Sequence, residues 1–492
     1  MKKRMWHFAS VWILLSMALI LSTAQAARPA GEVGKDWGDP RGEQCVECHL
    51  SESPGLTSEW NKSMHGQRGV NCLDCHIAEK DDKDGFEHEG VRITTIVTPK
   101  DCSKCHTTEF EEMDGSHHSH AGDILGSLDN LLGEVVGGPA AVNAGCKQCH
   151  GGQVEIGADG KPTPTSWPNT GIGRLNPDGS KGSCTACHGR HRFSKAQART
   201  PDTCGKCHVG PDHPHIEVYN ESKHGIIYRA KIGEMNLESD KWVAGIDYSA
   251  SATCATCHMS AGGKEGSTHN VGDRISWNLR SPISKKINLV RLENGEEFDV
   301  PEGKDIPKVG DSAKGSKVVE VLTWKDRRDK MQSVCRACHS EGVVMGHYKQ
   351  LDDLVALYND KFARPLAAIM GDLKKAGYIT KSPFDDKIEW IWFEIWHHEG
   401  RRARHGASMM GPDYTWWHGI YEVAQHTYFK FIPEMKKIVK AKDGNDKFAK
   451  TMLDRHLKPI PGHAWYFEGM GKEQIDKMRK AYEERYGKGS LK

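Results

Sequence analysis

Two thiols and an imidazole recur eight times along this 492-residue chain at one fixed spacing. In each copy two cysteines are separated by two residues, and a histidine directly follows the second. The copies are Cys45–Cys48–His49, Cys72–Cys75–His76, Cys102–Cys105–His106, Cys146–Cys149–His150, Cys184–Cys187–His188, Cys204–Cys207–His208, Cys254–Cys257–His258 and Cys335–Cys338–His339. Chance would give about 0.03 such motifs in a chain of this composition. Such thiol pairs attach a porphyrin covalently and the histidine binds its iron, so the motifs predict eight haem c groups.

Paired cysteines also occur in disulfide frameworks and in zinc sites. An exported protein with 16 cysteines would ordinarily suggest disulfides, and two C-x-x-C pairs can hold one zinc ion. Neither alternative explains why a histidine follows the second cysteine in all eight copies. The eight motifs use every cysteine, and they favour an octahaem cytochrome c.

Electron-transfer haems need a second axial ligand, which in such chains is usually another histidine. Of the 27 histidines, eight are proximal and His7 lies in the N-terminal segment, which leaves 18 for this role. Four of the candidates precede glycine, whose missing Cβ would leave room for a porphyrin plane. The alternative for each is a surface or hydrogen-bonded histidine, and the sequence does not assign a histidine to a haem. The candidate distal ligands are His65, His120, His191, His224, His269, His405 and His418.

The N-terminus has the layout of a secretory signal peptide. Lys2, Lys3 and Arg4 precede the apolar run 11–20, and Ala24-Gln25-Ala26 offers a cleavage site. An uncleaved anchor is the alternative, but this run is shorter than the ~20 residues that span a bilayer. We therefore predict a segment 1–26 that is removed on export and a periplasmic mature chain without a membrane span. With 67 basic and 66 acidic residues, the composition implies no nucleic-acid partner.

Around these motifs the sequence predicts a mainly α multihaem cytochrome c with three regions after the signal peptide. Residues 27–285 hold motifs one to seven and should form short helices and loops wrapped around haems. Residues 159–182 are rich in proline, glycine and asparagine, which predicts a long loop that is functional or mobile. Residues 286–325 should form a small β insertion, and residues 326–492 the eighth haem site and a C-terminal bundle of long helices.

Periodicity supports the last two regions. Residues 287–292 and 296–300 flank Asn294-Gly295, which indicates a β-hairpin, and residues 318–322 indicate a further strand. Ile388, Ile391 and Ile395 share one helical face with two tryptophans. Residues 414–440 and 472–486 also have a helical pattern. We expect this bundle to mediate oligomerisation.

Three stretches carry a family resemblance. They are 204–217 (CGKCHVGPDHPHIE) continuing to 221–225, 268–277 (THNVGDRISW) and 404–422 (RHGASMMGPDYTWWHGIYE). Together with eight motifs in this order, they closely resemble the hydroxylamine oxidoreductase family of octahaem cytochromes. The resemblance covers essentially the whole mature chain.

The resemblance implies a division of labour among the haems. Seven would be bis-histidine electron carriers, while the haem on Cys146 and Cys149, with His150 as its proximal ligand, would keep an open distal face. Asp212 and His213 would line that face and take up the protons released when hydroxylamine is oxidised. Without the family, Asp212 before His213-Pro214 could simply form a turn.

In the oxidising members of the family a tyrosine from a neighbouring subunit is bonded covalently to the active haem of a trimer. Tyr414 matches that position best, and Tyr421 is the second choice. Members without this tyrosine resemble reductases that form ammonium, so Tyr414 would decide the direction of the reaction. The alternative is a tyrosine that only packs beside Trp416 and Trp417.

The sequence therefore predicts a periplasmic, trimeric enzyme that oxidises hydroxylamine to nitric oxide or nitrite. Alternatives are reduction of nitrite or hydroxylamine to ammonium, oxidation of hydrazine, and a non-catalytic electron conduit in which every iron has six ligands. The sequence shows no C-terminal anchor, so a small cytochrome c or a quinone-reactive protein should exchange its electrons.

Overall fold

The computed structural model describes residues 40–489, so the predicted signal peptide lies outside the described residues. Contacts divide the chain into two compact units. The first contains residues 40–74 and 190–192, and the second contains residues 75–189 and 193–489. Helix α4 (Cys72–His76), which carries the second motif, begins in the first unit and ends in the second.

The first unit is built from three short helices, α1 (Gly42–Glu52), α2 (Pro54–Lys62) and α3 (Met64–Gln67). Helix α1 carries the first motif. Helix α2 begins at Pro54, whose missing N–H has no partner to lose at a first helical position. The segment 190–192 joins this unit through Arg192, whose guanidinium donates to the Lys62 carbonyl.

The second unit begins with a region of short elements separated by turns, as expected for a chain that surrounds porphyrins. The longest helix of this region, residues 128–141, is kinked at Gly138, which has a φ of 65°. The elements are β1 (Phe86–His88), β2 (Val91–Ile93), α5 (Pro99–Ser103), α6 (Thr107–Asp114), α7 (Leu128–Ala141), α8 (Lys147–His150), α9 (Lys195–Arg199), α10 (Pro201–Gly205), α11 (His215–Glu221), α12 (Lys223–Ala230) and α13 (Cys254–His258).

A small antiparallel sheet follows the seventh motif and confirms the predicted hairpin. Strand β4 pairs with β5 and β7, and the β4–β5 turn contains Gly295 at a φ of 84°, where glycine avoids a Cβ clash. Val290, Leu292, Val300 and Val318 form its buried face. The strands are β3 (Trp277–Asn278), β4 (Lys285–Leu292), β5 (Glu297–Pro301), β6 (Ser312–Ala313) and β7 (Ser316–Leu322).

The rest of the unit is a bundle of longer helices, which confirms the predicted mainly α fold. The predicted apolar stripe is buried at Ile388, Ile391 and Ile395. Several helices continue into one another through wide π turns at 358–363, 394–399, 416–421 and 427–431. The helices are α14 (Trp324–Arg336), α15 (Glu341–Leu357), α16 (Arg364–Lys375), α17 (Lys387–Phe393), α18 (Gly400–Met409), α19 (Pro412–Thr415), α20 (Glu422–His426), α21 (Ile432–Asp443), α22 (Lys447–His456), α23 (Ala464–Glu468) and α24 (Lys472–Tyr486).

The bundle has a conventional apolar core that needs no cofactor. Tyr358, Leu366, Phe431 and Met435 are completely or almost completely buried in it. Between residues 40 and 489, no helix combines the length and apolar character that crossing a bilayer requires.

Candidate active site and haem-binding residues

The motif residues have the chemistry and the orientation that covalent haem requires. None of the 16 cysteines is paired in a disulfide. The Nδ1 of His76 donates to the Thr94 carbonyl at 2.8 Å, and that of His258 to the Val271 carbonyl at 3.1 Å. Such a bond fixes the imidazole and leaves Nε2 for a metal. These residues therefore fit haem iron as proximal ligands.

The motif cysteines of the second unit also lie next to one another in a defined order. Cys102 of motif three contacts Cys184 of motif five, and Cys204 of motif six contacts Cys254 of motif seven. Electrostatic interactions join Cys187 to Cys204 and Cys257 to Cys335. Motif four joins at motif six, where Cys149 contacts Cys207. Neighbouring haems held in this order would give electrons a continuous route.

Among the described residues, three pairs of a proximal histidine with another histidine have the separation of a bis-histidine iron site, and in one of them, His208 with His213, the ring centroids are 5.9 Å apart. Imidazoles that share one metal have ring centroids about 6 Å apart, because each metal–nitrogen bond is about 2 Å long. The rings of His224 and His339 are 5.9 Å apart, and those of His118 and His208 are 6.2 Å apart. His224 was a predicted distal ligand, whereas His118 was not.

His118 lies in a cluster with His117 and His120, so the sequence alone could not choose among them. His117 pairs with Asp299 at 3.2 Å. His120, the predicted ligand, lies 3.3 Å from Asp123 and 3.5 Å from Lys181. Burial lowers the pKa of His118 to about 4, as expected for a neutral imidazole ready to bind a metal.

The other candidate histidines occupy different settings. The His269 Nδ1 lies 3.8 Å from a carboxylate oxygen of Glu112. His269 also interacts electrostatically with His106 of motif three. His405 is buried, with its ring 4.2 Å from that of His215, a histidine that the sequence analysis did not select. His418 is half exposed between Asp413, at 3.5 Å, and Glu422, at 3.2 Å.

The two remaining candidates, His65 and His191, lie in the first unit. His65 is in α3, and His191 is in the segment 190–192. A further histidine of the second unit that the sequence analysis did not select, His347 of α15, interacts electrostatically with His224.

The glycine after two of these histidines has a reason other than space for a porphyrin. In 63–66 and in 222–225 a serine hydroxyl accepts from the N–H of the glycine three residues later and so caps the helix. A Cβ on Gly66 would lie 2.5 Å from the Trp60 carbonyl oxygen, and one on Gly225 would lie 2.0 Å from that of Tyr219. The repeat S-x-H-G is therefore a compact helix start that presents a histidine.

The fourth motif is enclosed by the long loop that the sequence predicted. Helix α8 ends at His150 and is followed by Gly151, which has a φ of 81° and whose Cβ position lies 2.4 Å from the Arg174 backbone nitrogen. The Ile172 N–H donates to the Cys149 carbonyl at 3.0 Å, and the Thr170 hydroxyl donates to the Gln148 carbonyl at 3.1 Å. Segment 159–182 contains no regular helix or strand, and it fixes the backbone of this motif.

Asp212 and His213 are next to each other beyond the sixth motif, and their charges reach His150. The Asp212 Oδ1 lies 3.2 Å from the His213 Nδ1, and the Asp212 Oδ2 lies 3.4 Å from a guanidinium nitrogen of Arg401. His213 and Asp212 act in opposite directions on the pKa of His150, which burial lowers. Their side chains are only 27% and 28% exposed. A carboxylate, an imidazole and a guanidinium thus meet near the fourth motif.

Arg401 and His398 of the helical bundle complete this group, and the sequence analysis missed both. Arg401 also donates to the Arg280 carbonyl at 2.8 Å, which fixes the guanidinium beside Asp212. Burial lowers the pKa of His398, and the charge of Asp212 opposes that shift. His398 and Arg401 are three residues apart, which places them on one face of a helix, and this spacing could have indicated that they act together.

Tyr414 is half buried at the start of α19, and Tyr421 lies in an exposed aromatic cluster. The Tyr414 N–H donates to Glu221 at 3.2 Å, and its ring centroid is 5.6 Å from that of His418. Burial raises the pKa of the Tyr414 hydroxyl. Tyr421 packs with Trp416 and Trp417, which are 50% and 55% exposed.

Comparison with known proteins identifies the haem-rich region. Residues 177–297 match the family model described as "Seven times multi-haem cytochrome CxxCH". Over 330 residues, 61% of this chain, it is 30% identical to a probable nitrite reductase–hydroxylamine oxidoreductase fusion protein of Kuenenia stuttgartiensis. The matched part spans 34% of that longer relative.

Two solved structures share the fold. A hypothetical multiheme protein aligns with a TM-score of 0.67 and 24% identity, over 82% of this chain and 96% of its own. A reducing HAO-like protein complex of Kuenenia stuttgartiensis aligns with a TM-score of 0.58 and 20% identity, over 82% of this chain and 86% of that one. The chain therefore shares its fold with these two proteins.

Proposed function

We propose that this chain oxidises hydroxylamine, to nitric oxide or nitrite; its similarity to multihaem cytochromes and to a hydroxylamine oxidoreductase fusion protein supports this. It would hold eight haems, with the active one on Cys146 and Cys149. The observation that carries the proposal is the position of Asp212 and His213, whose charges act on His150 of the fourth motif. The bound haem would supply an open iron that binds a small nitrogen compound and accepts its electrons.

The protein residues would manage protons and charge in this site. Oxidation of hydroxylamine releases protons with the electrons, and a carboxylate beside an imidazole can accept them and pass them on. A guanidinium nitrogen of Arg401 lies 3.4 Å from the Asp212 Oδ2, and this ion pair would keep the Asp212 carboxylate in place. The loop 159–182 holds the motif backbone rigid, which keeps the distance between the iron ligand His150 and the acid–base pair constant.

Ligand binding tests whether the protein is an enzyme or a conduit. We expect the dithionite-reduced holoprotein to bind nitric oxide or carbon monoxide at one haem, with a change in the optical spectrum equivalent to one in eight. Binding at no haem would establish the conduit and refute the proposal.

The direction of the reaction depends on Tyr414 in this proposal. Protease digestion and mass spectrometry should reveal a haem species that joins the peptide of Cys146 and Cys149 to the peptide of Tyr414 from a neighbouring subunit of a homotrimer. Recovery of a free Tyr414 peptide would instead favour the reductive enzyme that forms ammonium. With the cross-link present, steady-state turnover of hydroxylamine and hydrazine would separate the two oxidative alternatives.

The proposal places the mature protein in the periplasm, with residues 1–26 as its signal peptide. A small cytochrome c or a quinone-reactive protein would exchange electrons with it. Cell fractionation and N-terminal sequencing test this placement, with Ala27 as the expected first residue of the mature chain.

A further inference from the structure

A buried acidic residue, Glu399, directly follows His398 in the chain. Glu399 ends the π turn 394–399, and its side chain is only 4% exposed. Burial raises the pKa of this carboxyl group. Single π turns within α helices occur frequently at functional sites. The position of Glu399 is therefore compatible with a functional role.

Glu399 has one close partner and one oxygen that no protein group satisfies. The His426 Nδ1 lies 3.0 Å from its Oε1, and an Arg402 guanidinium nitrogen lies 3.9 Å away. Within residues 40–489, the Glu399 Oε2, the Arg402 Nε and the His426 Nδ1 are all buried without a hydrogen-bond partner. Such unsatisfied groups side by side are typical of a site that holds internal water.

The surroundings of Glu399 are shared with the candidate active site. Arg402 and Glu394 act electrostatically on Glu399 and also on its neighbour His398. His398 in turn interacts with Asp212. At the other end, His426 is 14% exposed, so this imidazole has access to solvent that Glu399 lacks.

Further charges face this group from the neighbouring helices. Glu422 of α20 lies 3.3 Å from the Arg402 guanidinium, so Glu399 and Glu422 both pair with Arg402. Lys430 of the π turn 427–431 lies 3.7 Å from Glu394. The Arg402 guanidinium is therefore shared between Glu399 and Glu422.

We propose that Glu399 and His426 form a proton relay between the candidate active site and solvent. A proton from the Asp212 side would reach the Glu399 carboxylate through His398 and internal water. It would move to the His426 Nδ1, and His426 would release a proton from Nε2 to solvent. No electron moves in this transfer, and the carboxylate is restored. The reductive direction would use the same path in reverse, so the relay deepens the proposed function without choosing its direction.

The experiment compares Glu399→Gln and His426→Gln with the wild-type holoprotein. Glu389→Gln is a matched control, because Glu389 also belongs to this helical segment and has a buried, unsatisfied carboxylate oxygen. Turnover is measured against pH in H2O and D2O. Independently of turnover, an indicator dye measures the rate of proton exchange when the haems are reduced photochemically.

We expect both relay variants to slow proton exchange and turnover about tenfold and to raise the solvent isotope effect, while Glu389→Gln changes neither. Glu399→Asp, which keeps the carboxylate, should recover most of the proton exchange. Wild-type proton exchange in Glu399→Gln would overturn the relay, as would equal losses in Glu399→Gln and Glu399→Asp accompanied by reduced haem content. Nitric oxide binding by all variants separates these outcomes from failure of the proposed function, which would remove binding in the wild type.

Discussion

Replacing Asp212 with asparagine tests the chemistry of the site most directly. The substitution keeps the shape of the side chain but removes the charge that His213, at 3.2 Å, and Arg401, at 3.4 Å, share. Loss of a general acid–base group costs about 10²- to 10⁴-fold in rate. Asp212 is 28% exposed, so water can replace part of its function. We therefore expect a loss near 10²-fold, or about 2.7 kcal/mol in activation free energy.

The assay is hydroxylamine-dependent reduction of an artificial electron acceptor by the purified holoprotein. Asp240→Asn serves as the control, because Asp240 is 87% exposed and forms an ion pair with Lys195 at the protein surface, at 2.7 Å. The variant should keep wild-type haem content and nitric oxide binding, which locates the defect in proton handling. A loss below threefold with intact haem would refute the assignment of Asp212.

Four further outcomes are expected. Tyr414→Phe should convert a trimer that resists denaturing gel electrophoresis into monomers, whereas Tyr421→Phe should leave that trimer intact. His224→Ala should change one low-spin haem to high spin in electron paramagnetic resonance, because His224 lies 5.9 Å from the proximal His339. Leu366→Ala should lower the free energy of unfolding in urea by about 2–5 kcal/mol, because Leu366 is completely buried. Since burial raises the Glu399 pKa, native stability should fall as pH rises from about 4.3 through that raised pKa, and urea unfolding of Glu399→Gln should lack this loss.

The helices and the hairpin could be predicted because their signals are local. Ile388, Ile391 and Ile395 repeat at the period of an α helix, and Asn294-Gly295 supplies the left-handed residue that a hairpin turn needs. The π turns gave no signal, because one extra residue in a turn changes neither composition nor the apolar face. They nevertheless place Glu399 and its neighbours.

The haem attachment residues were also visible in the sequence, whereas the pairing of histidines was not. Axial pairing joins positions far apart in the chain, such as His224 and His339, and depends on the packing of several short helices. Among His117, His118 and His120, only the fold shows that His118 is the one beside His208. Arg401 was missed for the same reason, since its partner Asp212 belongs to a distant segment.

The order of contacts among the motif cysteines has the form of a branched circuit. Motif four contacts motif six, and motif six contacts motif seven through Cys254 and interacts electrostatically with motif five through Cys187. If haems occupy these motifs, successive electrons that reach this junction could leave by different branches, one towards motif eight and one through motif five to motif three. A second electron could therefore leave the junction by one branch while the first still occupies the other. Damage to one branch would slow the discharge of the junction without stopping it.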